Sequence, residues 1–106
     1  MKRYLVVEHK IGDYEQWKRV FDESEERRRE AGFLGGWIYR NSEDSKDLVV
    51  VLECMDVERA REFMKSKYLR EAMERGGVQG NPSIWFLDEV ATVPSLVAAG
   101  VDMEYD

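Results

Sequence analysis

The sequence predicts a single α+β domain in which one four-stranded sheet carries helices on one face. Three observations predict it. Residues 3–9, 33–40, 47–54 and 83–90 are short runs rich in β-branched and aromatic residues, the composition of strands. Two amphipathic stretches separate the first run from the second and the third from the fourth. The second and third runs are joined only by the polar loop Asn41-Ser42-Glu43-Asp44-Ser45, which makes them a hairpin.

Each element has its own signal. The first strand, Arg3-Tyr4-Leu5-Val6-Val7-Glu8-His9, contains no breaker, and Ile11-Gly12 follows as a turn. Asp13 is a good N-cap, with Gln16 three residues on at capping-box spacing. A helix over 14–31 follows, with Tyr14, Trp17, Val20 and Phe21 spaced at three and four. Its second half, Glu23 to Glu30, is nearly all charged and laced by Glu23–Arg27 and Glu25–Arg29 pairs, so it is expected to project into solvent. Gly32 ends it. Asp56 caps a helix over 57–65, and Ser66 caps a second short helix that stops at Gly76-Gly77. After Asn81-Pro82 comes the fourth strand, 83–90. With right-handed crossovers, the order β-α-β-β-α-β is ferredoxin-like, strand order 4-1-3-2. The first and third strands are expected at the centre and parallel. The domain covers 1–90, and 91–106 form a C-terminal extension.

Composition excludes several functions. At 106 residues there is room for one domain. No apolar stretch approaches the ~18 residues of a membrane span, and the apolar run before Glu8 is too short for a secretory signal, so a cytoplasmic protein is expected. The net charge of −6 argues against nucleic acid and anionic membranes as partners, and Arg27-Arg28-Arg29 is flanked by Glu23, Glu25, Glu26 and Glu30. Cys54 and His9 are the single cysteine and histidine, which leaves no intrachain disulfide and no Cys/His metal set. No cofactor-binding motif is present either; Gly76-Gly77-Val78-Gln79-Gly80 lacks the context and the lysine of a phosphate loop.

The strands do not alternate as a half-exposed sheet should. Leu5-Val6-Val7, Val49-Val50-Val51-Leu52 and Ile84-Trp85-Phe86-Leu87 are apolar on both faces. Helices cover one. The other would leave a patch above the ~300–600 Å² usual for a monomer, and burying each such side chain gains roughly 1.5–3 kcal/mol. A two-fold homodimer, sheet against sheet, is the expected cover. The competing cover is the C-terminal tail folded back.

The stretch His9-Lys10-Ile11-Gly12-Asp13-Tyr14-Glu15-Gln16-Trp17-Lys18-Arg19-Val20-Phe21, the segment Glu30 to Arg40 with its Gly35-Gly36-Trp37, and Ala60-Arg61-Glu62-Phe63 followed by Ser66 to Met73 and Gly77-Val78 carry a resemblance. Over residues 3–90 the chain resembles the dimeric α+β barrel superfamily, which includes antibiotic-biosynthesis monooxygenases and polyketide cyclases. The resemblance implies two sheets enclosing an apolar cavity, and leaves the reaction open.

Among the residues themselves, His9 is the natural acid–base candidate, because its ordinary pKa lies near neutrality. With parallel central strands, Glu53 would end beside it and orient the ring; Glu8 competes for that role but points to the opposite face. Trp37, Tyr39 and Trp85 are candidate walls for a flat conjugated ligand, or else dimer and helix-packing core. Gly35-Gly36 suggests a bulge or a close backbone approach. Trp17, Phe21, Met64 and Met73 read as core, and Cys54 as a structural thiol.

Two functions fit. One is a cavity enzyme, monooxygenase-like or cyclase-like, acting without a cofactor on a hydrophobic aromatic or polyketide-like compound, with His9 as base. The other is a non-catalytic ligand-binding or sensing module of the same fold. Haem degradation would have His9 as its one imidazole ligand. An RNA-recognition module shares the topology but stacks bases on basic and aromatic strands, whereas Asp47 to Cys54 is aliphatic and acidic.

Overall fold

The computed structural model describes residues 1–95, so the apolar run at 96–99, and with it the reading of the tail as a cover, lies outside the described residues. The chain runs β1 (Arg3–Ile11), α1 (Tyr14–Glu23), α2 (Glu25–Glu30), β2 (Phe33–Asn41), β3 (Asp44–Cys54), α3 (Val57–Met64), α4 (Lys67–Arg75) and β4 (Val78–Asp88). The sheet order is β2-β3-β1-β4, the ferredoxin-like order the sequence predicts. Among the described residues no helix is long and apolar enough to cross a membrane.

All three predicted caps form. The Asp13 carboxylate accepts from the Gln16 amide at 3.1 Å, Asp56 from Glu58 and Arg59 at 3.0 and 3.3 Å, and Ser66 Oγ from Leu69 at 3.2 Å. Each answers an amide that the first turn leaves without an intrahelical partner.

The pairing corrects one expectation. β1 and β3 are neighbours, but antiparallel, with Tyr4 opposite Glu53 and His9 opposite Leu48. The hairpin is the reason. The β1-α1/α2-β2 crossover returns β2 in the direction of β1, and the tight turn to β3 then reverses the chain.

Several boundaries differ as well: β3 begins at Asp44, inside the loop expected over 41–45, and β4 ends at Asp88. The helix predicted over 14–31 breaks at Ser24, whose hydroxyl donates to the Val20 carbonyl at 2.9 Å, a back-bond that bends helices. The charged second half therefore turns back onto the protein: the Arg28 guanidinium lies 3.6 Å from the Phe21 ring centroid and that of Arg27 4.4 Å from Tyr68. The ion pairs that form are Lys18–Asp22 and Arg29–Glu26. β1 continues to Ile11, which is buried, in place of a turn there. β4 begins at Val78, because an irregularity between Glu8 and Lys10 absorbs residues 80–82 and lets Gln79 and Val78 pair with Lys10 and Ile11. Pro82 is tolerated because β4 is an edge strand.

Beneath the helices the sheet presents Leu5, Val7, His9 and Ile11 from β1 and Leu48, Val50, Leu52 and Cys54 from β3, all buried with Trp17, Phe33, Ala60 and Ala72. The opposite face is apolar too. Trp37, Val51, Val6 and Trp85 stand side by side across all four strands. Trp37 and Trp85 are 52% and 48% exposed, and Tyr39 and Leu87 are similar. In β2 the register shifts between Phe33 and Gly35. Gly35 takes a φ of 127°, and a Cβ on Gly36 would sit 1.8 Å from the Val51 carbonyl oxygen. Both the bulge and the close backbone approach anticipated there are present.

Candidate functional site

A cavity of about 80 Å³ lies between the helices and the sheet. Its walls come from every layer: Leu5, Val7 and Val50 from the sheet, Trp17 and Phe21 from α1, and Phe63, Leu69 and Met73 from α3 and α4. The helical spacing of Tyr14, Trp17 and Phe21 stacks their rings in one ladder, with centroids 6.0 and 5.0 Å apart.

His9 joins that ladder, 5.6 Å from Trp17. The alternation of β1 turns it under the helices with Leu5 and Val7, leaving it 6% exposed. Neither ring nitrogen has a hydrogen-bond partner. Loss of hydration is the main influence on the ring and lowers its pKa below the usual histidine value; the Asp47 carboxylate acts in the other direction. His9 is therefore neutral at pH 7, with one nitrogen free to accept a proton and the other free to donate one.

Two further polar side chains line the cavity. Ser24 is buried at the helix break and accepts from the Tyr68 hydroxyl at 3.2 Å. Arg28 donates from Nη1 to the Phe21 carbonyl at 2.6 Å. Cys54 is buried, and burial pushes its thiol pKa up, which suits a packing role. Among the described residues no group of three or more His, Cys, Asp or Glu side chains is arranged to hold a metal ion.

The other expected site residues lie elsewhere. Glu53 pairs with Tyr4, five positions along β1 from His9, or roughly 16 Å at ~3.3 Å per residue. It also stands on the opposite face, with Val51 and Val49. The same face carries Trp37, Tyr39 and Trp85, so these three rings and Glu53 share a side, and His9 does not share it with them. The carboxylate that acts on His9 is Asp47, buried opposite Lys10, which accepts from Asn41 at 3.1 Å and keeps Oδ1 unpartnered.

Asp47 and Arg28 escaped the sequence reading. Asp47 looks like the polar start of a strand, and its pairing one step from His9 depends on the antiparallel register. Arg28 sits in a basic run whose charge the flanking glutamates offset in a count along the chain. Its one sequence signal is the spacing of seven from Phe21, two helical turns along the same side.

No family model and no curated protein matches the chain. Solved structures do resemble it. SnoaB, a cofactor-independent oxygenase from Streptomyces nogalater, superposes with a TM-score of 0.70 at 13% identity, over 89% of this chain and 98% of that one. A protein from Bordetella bronchiseptica designated an antibiotic biosynthesis monooxygenase gives 0.72 at 14% identity, over 85% and 98%. The monooxygenase from the gene ActVA-Orf6 of Streptomyces coelicolor, solved with nanaomycin D, gives 0.62 at 21% identity, over 89% and 93%. At these identities the likeness is one of fold: the chain shares the ferredoxin-like α+β architecture of antibiotic-biosynthesis-monooxygenase-like proteins over most of its length.

Proposed function

We propose that this protein binds a small hydrophobic aromatic molecule in the cavity beneath its helices and oxygenates it without a cofactor, with His9 as the base. The observation that carries the reading is His9 itself. A buried imidazole without a hydrogen-bond partner costs a fold stability, roughly 1–3 kcal/mol per orphaned group. A ligand hydroxyl placed in the cavity would satisfy it. A neutral imidazole in an apolar pocket accepts a proton from an acidic C–H or O–H of the ligand, and the resulting anion reacts with molecular oxygen. In the net change a CH₂ becomes a carbonyl, one oxygen atom goes to the ligand and the other leaves as water. The structural likeness to a cofactor-independent oxygenase and to a monooxygenase holding nanaomycin D supports this chemistry.

Size limits the ligand. A cavity of about 80 Å³ is well below the ~300–1,000 Å³ of most drug-sized ligand sites. A multi-ring substrate must therefore extend into the adjoining groove of about 320 Å³ beside β2. The test is oxygen uptake with a panel of hydroxylated naphthalenes. His9→Gln should lower the rate by about 10²–10⁴, the usual contribution of general acid–base catalysis. A measurable wild-type rate that the substitution leaves unchanged refutes His9 as the base.

The non-catalytic reading keeps one observation in its favour. No carboxylate hydrogen-bonds to His9 to orient it, whereas a binding site needs only the cavity. Binding of the same naphthalenes without oxygen uptake would select that reading.

We further infer that the open face of the sheet, with Trp37, Tyr39, Trp85 and Leu87, is covered by a second copy of the chain. Its apolar row spans all four strands, which is why a sheet-against-sheet homodimer fits it.

A further inference from the structure

The cavity and the groove beside β2 share four wall residues, Phe21, Arg28, Phe33 and Leu52. Arg28 is the charged side chain among the cavity's described walls. It stands at the junction of the two spaces. Its guanidinium is stacked on Phe21 with its centre 3.6 Å from the ring centroid, and one nitrogen is tied to the Phe21 carbonyl. That leaves most of its five N–H donors uncommitted. Glu25 and Asp22 are near enough to act on it through space, yet among the described residues no carboxylate lies within ion-pair distance. The neighbouring Arg29 does have such a partner, in Glu26 at 2.7 Å. A half-buried guanidinium with no carboxylate in ion-pair contact, between an apolar pocket and an open groove that Glu25 and Arg29 also line, can take a planar anion through its free donors.

Resting on the reading of the cavity as a ligand site, we propose that Arg28 is a specificity-determining residue. It recognises a carboxylate carried by an aromatic ligand, with the ring in the pocket beside His9 and the carboxylate turned toward the groove. The ligand class is then an aromatic carboxylic acid in place of a neutral aromatic.

Calorimetric titration with 1-hydroxy-2-naphthoate and 1-naphthol tests this, because the two share a ring system and a hydroxyl and differ in the carboxylate. The wild-type protein should bind the acid about tenfold to a hundredfold more tightly, as expected for charge-assisted hydrogen bonds. Arg28→Gln should erase that preference, so that the two probes bind the variant with affinities within about twofold of each other. Arg28→Lys, which keeps the charge and the stem but loses the fork, should retain part of it. Equal wild-type affinity for the two probes overturns the proposal without recourse to any variant. So does an unchanged preference in Arg28→Gln. In either case binding of both probes leaves the cavity reading standing. Failure of both to bind the wild-type protein at millimolar concentration sinks the two readings together.

Discussion

Replacing His9 by leucine should make the protein more stable. The wild-type ring buries a donor and an acceptor, neither of them paired, beside Trp17 and across from Leu48. Each such orphan costs roughly 1–3 kcal/mol. Leucine removes both, and its imperfect fit to the imidazole's shape gives back less than about 1.5 kcal/mol. The two orphans together cost roughly 2–6 kcal/mol, so the net expectation is a gain of roughly 0.5–4.5 kcal/mol, or a Tm higher by roughly 4 °C for each kcal/mol in a domain of this size. The pH dependence gives a second, independent reading. Burial lowers the His9 pKa in the folded state, whereas the unfolded chain protonates it near ~6.5. Above that value both states are neutral and His9 adds no slope. As the pH falls below it, the unfolded state takes up a proton that the folded state refuses. Stability then drops by up to about 1.4 kcal/mol per pH unit until the lowered folded-state pKa is reached. His9→Leu should lack that component. Urea denaturation at pH 7.5, 6.5 and 5.5, at one protein concentration, measures both effects. A leucine variant less stable than wild type at pH 7.5 would show that the imidazole is paired in solution, and the case for a site vacant of polar partners would fail. An identical acid slope in the two proteins would refute the assignment of that slope to His9.

Two other expectations concern the sheet. Light scattering at micromolar concentration should give about twice the 12.4 kDa of one chain, and Trp85→Asp, which puts a charge in the apolar row, should halve it; a wild-type monomer would contradict the paired sheets. Gly36→Ala should destabilise by more than about 3 kcal/mol, because its Cβ would overlap the Val51 carbonyl oxygen, whereas Gly12→Ala, whose Cβ has 3.6 Å of room, should stay within about 1 kcal/mol in the same urea titration.

The fold was legible because its signals are local. Asp13, Asp56 and Ser66 mark helix starts through one side chain and one amide each, and strand composition needs no partner to be recognised. What failed were inferences that depend on how distant segments meet. The direction of β3 relative to β1 follows from the hairpin, and misjudging it brought Glu53 to His9 when Asp47 is the carboxylate that His9 feels. On β2, Phe33 and Trp37 share sequence parity, yet Phe33 lies under the helices and Trp37 on the open face. The bulge inserts one residue between them and reverses the alternation. His9 was legible through its chemistry alone. Arg28 was hidden by its own neighbours, because a charge count along the chain ignores which side of a helix each charge occupies.

The break at Ser24 also sets where α1 is tied to its neighbours around the cavity. α1 is fastened to α4 at both ends. Gln16 donates to the Arg75 carbonyl and Gly12 to that of Gly77 at one end, and Tyr68 donates to Ser24 at the other. Toward β2, among the described residues, α1 is held by the weaker stacking of Arg40 on Tyr14. The side-chain ties of α1 thus gather on its α4 side. The side toward β2, where Arg28 stands, is the one along which the groove runs.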